Sequence, residues 1–217
     1  MWRLFTATCT TLYSAFACAA APSVDSQLWS EVDVTHALAT DLSATAIVTT
    51  RLGNALPNPT LAAAGIQIDY RHGSWTVSGT GYYVCVRNTE TGARTRVWLP
   101  AAASAYKVDL GPLVISDRNR VEQLEGIPGS PARYRNRASA YWHLEDRHAL
   151  AEFFISNELF YDFSRGRWSR NRTQAGLQFD LGTDTKLQVF YMRQNNTYGT
   201  PDRLTILGLT LQLELQT

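Results

Sequence analysis

Long apolar runs are missing from this sequence. Beyond its first two dozen residues, no stretch approaches the roughly 18–20 uninterrupted apolar residues that a spanning helix needs, so crossing a membrane by helices is excluded. A sustained helical period is missing as well. Cysteine is scarce, with only Cys9, Cys18 and Cys85. Loss of a leader ending beyond Ala19 would leave Cys85 alone, which excludes an intramolecular disulfide and paired-cysteine metal or redox chemistry. Formal net charge is only +1. There is therefore no bulk field of either sign to draw in nucleic acid or a cationic partner. No glycine-rich phosphate loop or nucleotide fingerprint occurs. The histidines His36, His72, His143 and His148 are scattered and show no metal-ligand spacing. No cofactor and no metal are expected.

What is present starts with a leader. Residues 1–21 carry Arg3 as a positive head, a modest apolar run over Leu4–Phe16, and a small-x-small site at Ala17-Cys18-Ala19. They read as a signal peptide cleaved near Ala19–Ala21. Aromatic residues make up 11% of the chain. That suits aromatic girdles at two membrane interfaces, and Trp29, Trp75, Trp98, Trp142 and Trp168 are expected to be interface anchors.

Alternation with a period of two runs through the rest. Eleven strand-like segments follow one another at 27–36, 41–52, 61–71, 74–87, 93–107, 110–123, 131–145, 148–163, 167–182, 185–194 and 203–216. Leu207, Leu209, Leu211, Leu213 and Leu215 share one face against Thr210, Gln212 and Glu214. Across 152–182 one face carries Phe153, Ile155, Leu159, Tyr161 and Phe163, and the other Glu152, Ser156, Glu158 and Asp162. Short connections alternate with longer ones rich in Gly, Pro and Asn, as in outer-membrane barrels with short periplasmic turns. The expected fold is all-β: a single antiparallel transmembrane β-barrel over 27–217, of about 10–12 strands. Because bacterial barrels are normally even-numbered, ten is preferred, with the Trp29 segment as an extra edge or lid.

Arginines recur on the polar faces, and an enclosed arginine must be paired or wetted. With Asp146-Arg147 as a two-residue turn, Arg135 would stand opposite Glu158, flanked by Arg133 and Arg137. Arg170 or Arg172 would approach from the other side. These six residues form the expected interior polar network. Glu31, Asp33, Asp69 and Glu122 are candidates to compensate Arg51, Arg71, Arg118 and Arg120. The bland reading of this lattice, as filling rather than as a binding or conducting site, carries the greater weight.

Catalytic residues are not expected. A lipid hydrolase would need serine, histidine and an acid together. Ser156 and His143 share a facing but stand about 20 Å apart in that register. The Glu145–His148 cluster reads as a solvated turn.

Trp29, Arg51, the run Arg133–Arg137, Asn157-Glu158-Leu159-Phe160, Asn171-Arg172 with Gly176-Leu177, and Leu207-Gly208-Leu209 together resemble a bacterial family. It is the family catalogued as domain of unknown function 2490, predicted outer-membrane β-barrels. The resemblance implies architecture and an outer-membrane location after export, without implying chemistry. Such barrels usually end in an aromatic residue, whereas this chain ends Leu215-Gln216-Thr217, which bears on insertion efficiency. The expected partners are outer-membrane lipid and the barrel-assembly machinery. The expected role is structural, or binding through the longer loops. A narrow anion-leaning pore is the alternative, and a secreted soluble barrel holding a small ligand comes third.

Overall fold

Alternating residues force each strand to show opposite characters on its two faces, and the chain satisfies both faces by closing on itself. The structure is a computed structural model describing residues 24–53, 59–88, 91–128, 131–144, 150–198 and 201–215. The expected leader at 1–21, the turn at Asp146-Arg147, His148, and Gln216-Thr217 lie outside the described residues.

The strands are β1 (Val24–Ala39), β2 (Leu42–Leu52), β3 (Pro59–His72), β4 (Trp75–Arg87), β5 (Arg94–Leu110) and β6 (Leu113–Gln123). They continue with β7 (Ala132–His143), β8 (Leu150–Asp162), β9 (Arg167–Asp180), β10 (Thr185–Asn196) and β11 (Arg203–Leu215). Each pairs with its sequence neighbours in antiparallel fashion, and the barrel closes by β1 against β11. That last seam is parallel, running from Val24 opposite Arg203 to His36 opposite Leu215. An odd up-and-down meander leaves its first and last strands pointing the same way, so only a parallel seam can close it.

The preferred count of ten strands is therefore corrected. β1 is a full wall strand, paired along its length with β2 as well as β11. It obeys the same in-and-out rule as the others, with Trp29 buried and Val32 exposed.

The dry face points outward. Leu207, Leu209, Leu177, Ile155, Phe153, Val121 and Ile115 are exposed on the exterior, while Glu122, Glu158, Arg120 and Arg172 are buried inside. Aromatic residues mark two levels on the outer face. Trp75 and Tyr83 on β4, Trp98 and Tyr106 on β5, Tyr134 and Trp142 on β7, and Phe153 and Tyr161 on β8 are each separated by eight positions. Eight residues span about 27 Å along a strand, and a tilt of about 40° reduces this to about 20 Å of height. That is close to the apolar band of about 25 Å in transmembrane barrels.

The lumen is divided among three kinds of lining. Much of β2–β5 turns short side chains inward, among them Thr45, Thr49, Thr80, Ala101 and Ala103, with Ile47, Arg51 and Tyr82 as larger exceptions. An apolar cluster of Trp29, Phe154, Phe190, Met192, Leu204 and Ile206 occupies another sector. Phe190 is seated directly across from Gly176 on β9 and Gly208 on β11. A Cβ at either glycine would strike the Phe190 side chain. The third sector, on β6–β9, is the arginine wall.

Candidate functional site: an arginine–glutamate lattice in the lumen

Two carboxylates organise the arginine wall. Glu158 on β8 is 2% exposed and Glu122 on β6 is 1% exposed. The inward parity of β6 and β7 delivers arginines to both, and that of β9 to Glu158. Glu158 Oε1 accepts from Arg135 Nη2 at 2.7 Å, Arg135 Nε at 3.1 Å and Arg118 Nη2 at 3.1 Å. Its Oε2 accepts from Arg137 Nη2 at 3.2 Å and Arg172 Nη1 at 3.5 Å. Glu122 Oε1 accepts from Arg133 Nε, and Oε2 accepts from Arg135 Nη1 at 3.1 Å. Arg120 Nε lies 3.2 Å from Glu122 Oε2, an ion-pair contact without hydrogen-bond alignment. Arg135 thus bridges the two acids with separate edges of its planar fork, a geometry unavailable to lysine.

One aromatic ring lies within reach of much of this charge. Phe160, 1% exposed, has the guanidinium carbons of Arg135 and Arg172 at 4.7 Å, Arg170 at 5.2 Å and Arg133 at 5.6 Å from its centroid. Trp29 plays the same part nearby. Arg51 stacks on it at 3.7 Å, and Arg172 lies at 5.0 Å. Such stacking is electrostatically attractive and strengthens where water is excluded.

The six expected network residues all face inward, and four of the five arginines among them form ion pairs with a glutamate. Arg170 does not: it donates to Asn196 Oδ1 at 2.9 Å and stacks over Phe160. The register differs from the one expected. Arg137 stands opposite Glu158, and Arg135 opposite Phe160. The pairing is displaced by two positions from that expectation. An even displacement leaves every side chain on its expected face, so the lattice survives.

The expected compensation holds only for Glu122. Glu31 accepts from Thr49 Oγ1 at 2.7 Å, and Asp69 accepts from Ser78 Oγ at 2.5 Å and from Gln67. Arg118 turns instead to Glu158. Arg51 has no ion pair among the described residues, and its Nε is buried without a hydrogen-bond partner.

Sequence reasoning missed Phe154, Phe160 and the inward Trp29. Trp29 is corrected from interface anchor to lumen residue, at 8% exposure, whereas Trp75, Trp98, Trp142 and Trp168 are exposed. The signal was present: Phe160 shares parity with Glu158, and Trp29 with Glu31. Ser156 is opposite Ser139, four residues from His143 and about 13 Å away by strand rise. His143 Nδ1 sits 2.8 Å from Glu152 Oε1 instead.

Comparison with solved structures places the fold. The NanC porin superposes with a TM-score of 0.52 at 14% identity, covering 85% of this chain and 94% of that one. An anion-selective porin from Comamonas acidovorans matches at 0.41 and 13%, covering 82% of this chain and 53% of the other. OmpT, an outer membrane protein of Vibrio cholerae, matches at 0.38 and 10%, covering 79% and 59%. None of the curated proteins matches the sequence. The family described as "Protein of unknown function (DUF2490)" matches residues 26–205, and the chain belongs to that family.

Proposed function

We propose that the protein is exported to the bacterial outer membrane and acts there as a narrow channel favouring small anions. The observation that carries this reading is the imbalance of charge on the inner wall. Arg51, Arg118, Arg120, Arg133, Arg135, Arg137, Arg170 and Arg172 face inward, against Glu31, Asp33, Asp69, Glu122 and Glu158. Glu122 and Glu158 are already engaged by several guanidiniums each. Arg51 and Arg170 are held by aromatic faces and an amide rather than by carboxylates. Fixed positive charge in a confined, low-dielectric passage concentrates anions and repels cations.

Planar bilayers with purified, folded protein under a potassium chloride gradient test the reading. The expected reversal potential has the sign for chloride preference, and Arg51→Gln with Arg170→Gln moves it toward zero. Silence across independent reconstitutions would refute the channel.

The apolar cluster around Ile206, itself 0% exposed, favours a second reading in which the lumen is sealed and the barrel is structural. That reading predicts the silent bilayer.

A further inference from the structure

The outer face breaks its own rule in one place. β6–β10 turn amides and charged groups outward where the middle of the other strands shows Val, Ile, Leu, Ala, Gly, Pro, Ser or Thr. By register, Asp117, Ala138, Asn157, Thr173 and Arg193 make one continuous row across these five strands. Asn119, Asn136, Leu159, Asn171 and Asn195 make the adjoining row. Asn157 lies four residues from Phe153 and four from Tyr161, in the middle of the band. Asp117 lies four residues from Leu113 and from Val121, which pair with Trp142 and Tyr134 of the two aromatic levels.

These groups bond to one another along the surface. Asp117 accepts from Asn119 Nδ2 at 2.7 Å and Asn136 Nδ2 at 2.8 Å, and Asn136 also donates to Asn119 Oδ1 at 3.1 Å. Asn157 Nδ2 donates to Thr173 Oγ1 at 2.9 Å, and Asn171 Nδ2 donates to Asn157 Oδ1 at 3.1 Å. Asn157 and Thr173 nevertheless remain exposed. A carboxylate and a row of amides facing acyl chains at mid-band are costly, because nothing in hydrocarbon can complete their hydrogen bonds.

We propose that this face is where two copies of the chain pack against each other in the membrane, about a two-fold axis along the membrane normal. The proposal rests on the membrane reading but not on what passes through the lumen. A second copy carries the same polar groups at the same depth, and such an axis brings those around Asn157 face to face. An amide both donates and accepts, so an asparagine cluster is complementary to itself, and a contact about this axis is isologous. Ala138, Ala140 and Ala175 lie outward among the polar groups and allow close approach.

Disulfide trapping in native outer membranes tests this, with the full chain in a Cys85→Ser background. Ala138→Cys and Asn157→Cys are expected to give an oxidised species of twice the chain mass, at least tenfold more than Val48→Cys on the far wall. The triple variant Asn119→Leu, Asn136→Leu, Asn157→Leu is expected to keep heat-modifiable mobility and to run as a monomer in mild detergent, where the parent runs as a dimer. If the triple variant does not fold, the single-cysteine pattern alone decides. No cross-link at Ala138 and Asn157, equal cross-linking at Val48, or a product of some other mass would each overturn the pairing of two copies.

Discussion

Glu158→Gln removes one negative charge from the centre of the lattice while nearly preserving shape. The carboxylate meets Arg135 at 2.7 Å, Arg118 at 3.1 Å, Arg137 at 3.2 Å and Arg172 at 3.5 Å. The glutamine oxygen can still accept from some of these donors, but its amide nitrogen must face guanidiniums that only donate. The lost attraction also unmasks repulsion among four cations gathered from three strands. Removing one partner of a buried ion pair costs about 3–5 kcal/mol. Arg118 and Arg137 keep 30% and 31% of their side-chain surface exposed toward the lumen. Water there absorbs part of the loss, which sets the expectation near the lower end, about 3 kcal/mol. Urea titration of the barrel refolded into phosphatidylcholine vesicles, followed by tryptophan emission and gel mobility, reads this as a lowered midpoint at unchanged slope. Adding Arg135→Gln should recover part of the loss, with a coupling of about 0.5–3 kcal/mol because the two groups touch. A Glu158→Gln barrel that unfolds within about 0.5 kcal/mol of the parent, as surface substitutions do, would refute the lattice.

Gly208→Ala should destabilise the same titration by about 1–3 kcal/mol through overpacking against Phe190; in a Phe190→Ala background the added penalty should fall below about 0.5 kcal/mol, since the opposing ring is gone. At the loop end, Tyr198 donates to Asp162 Oδ2 at 2.5 Å and lies under Arg165 at 3.7 Å and Arg167 at 4.9 Å. Tyr198→Ala should therefore release the β8–β9 turn and raise trypsin cleavage after Arg165 or Arg167 severalfold in the folded barrel, without moving the urea midpoint.

Strand existence was legible because a membrane barrel writes the same period on every element, apolar outward and polar inward. All eleven segments found by alternation are strands, and the arginine run 133–137 revealed the wet side. The role of β1 was not legible. Even-numbered barrels are a regularity of a class, whereas pairing depends on whether a segment presents both faces and both edges, and β1 does. The inward aromatics were lost for a related reason. Reading Trp29 as an interface anchor sends it toward lipid, and Phe154 and Phe160 stand on neither of the faces read from the sequence, yet parity sends all three inward. An aromatic ring tolerates guanidinium company through its π face, so Phe160 can stand among arginines without violating the polarity of the wall. Acid–base partnership was the least legible feature. Arg118 reaches Glu158 across two strand boundaries, a contact set by curvature rather than by spacing.

The two-position difference in the β7–β8 register shows what information does select a pairing once facing is settled. A tight turn at Asp146-Arg147 would have set Tyr134 against Leu159, Trp142 against Ala151 and Tyr141 against Glu152. The observed register instead sets Tyr134 against Tyr161, Trp142 against Phe153 and Tyr141 against Phe154. Tyr141 and Phe154 meet inside the barrel with centroids 5.9 Å apart, and the other two pairs lie one at each aromatic level. Cross-strand aromatic pairs contribute about 0.2–1 kcal/mol each over small residues, and three aligned pairs act together. The ionic lattice does not discriminate between the two registers in the same way, because arginines at 133, 135 and 137 present a donor at every inward position. A glutamate slipped by two would find another guanidinium waiting. Aromatic spacing therefore fixes the register, and the charge pattern fixes only the side, so the period-eight aromatic pairs were the better guide in this sequence to which residue stands opposite which.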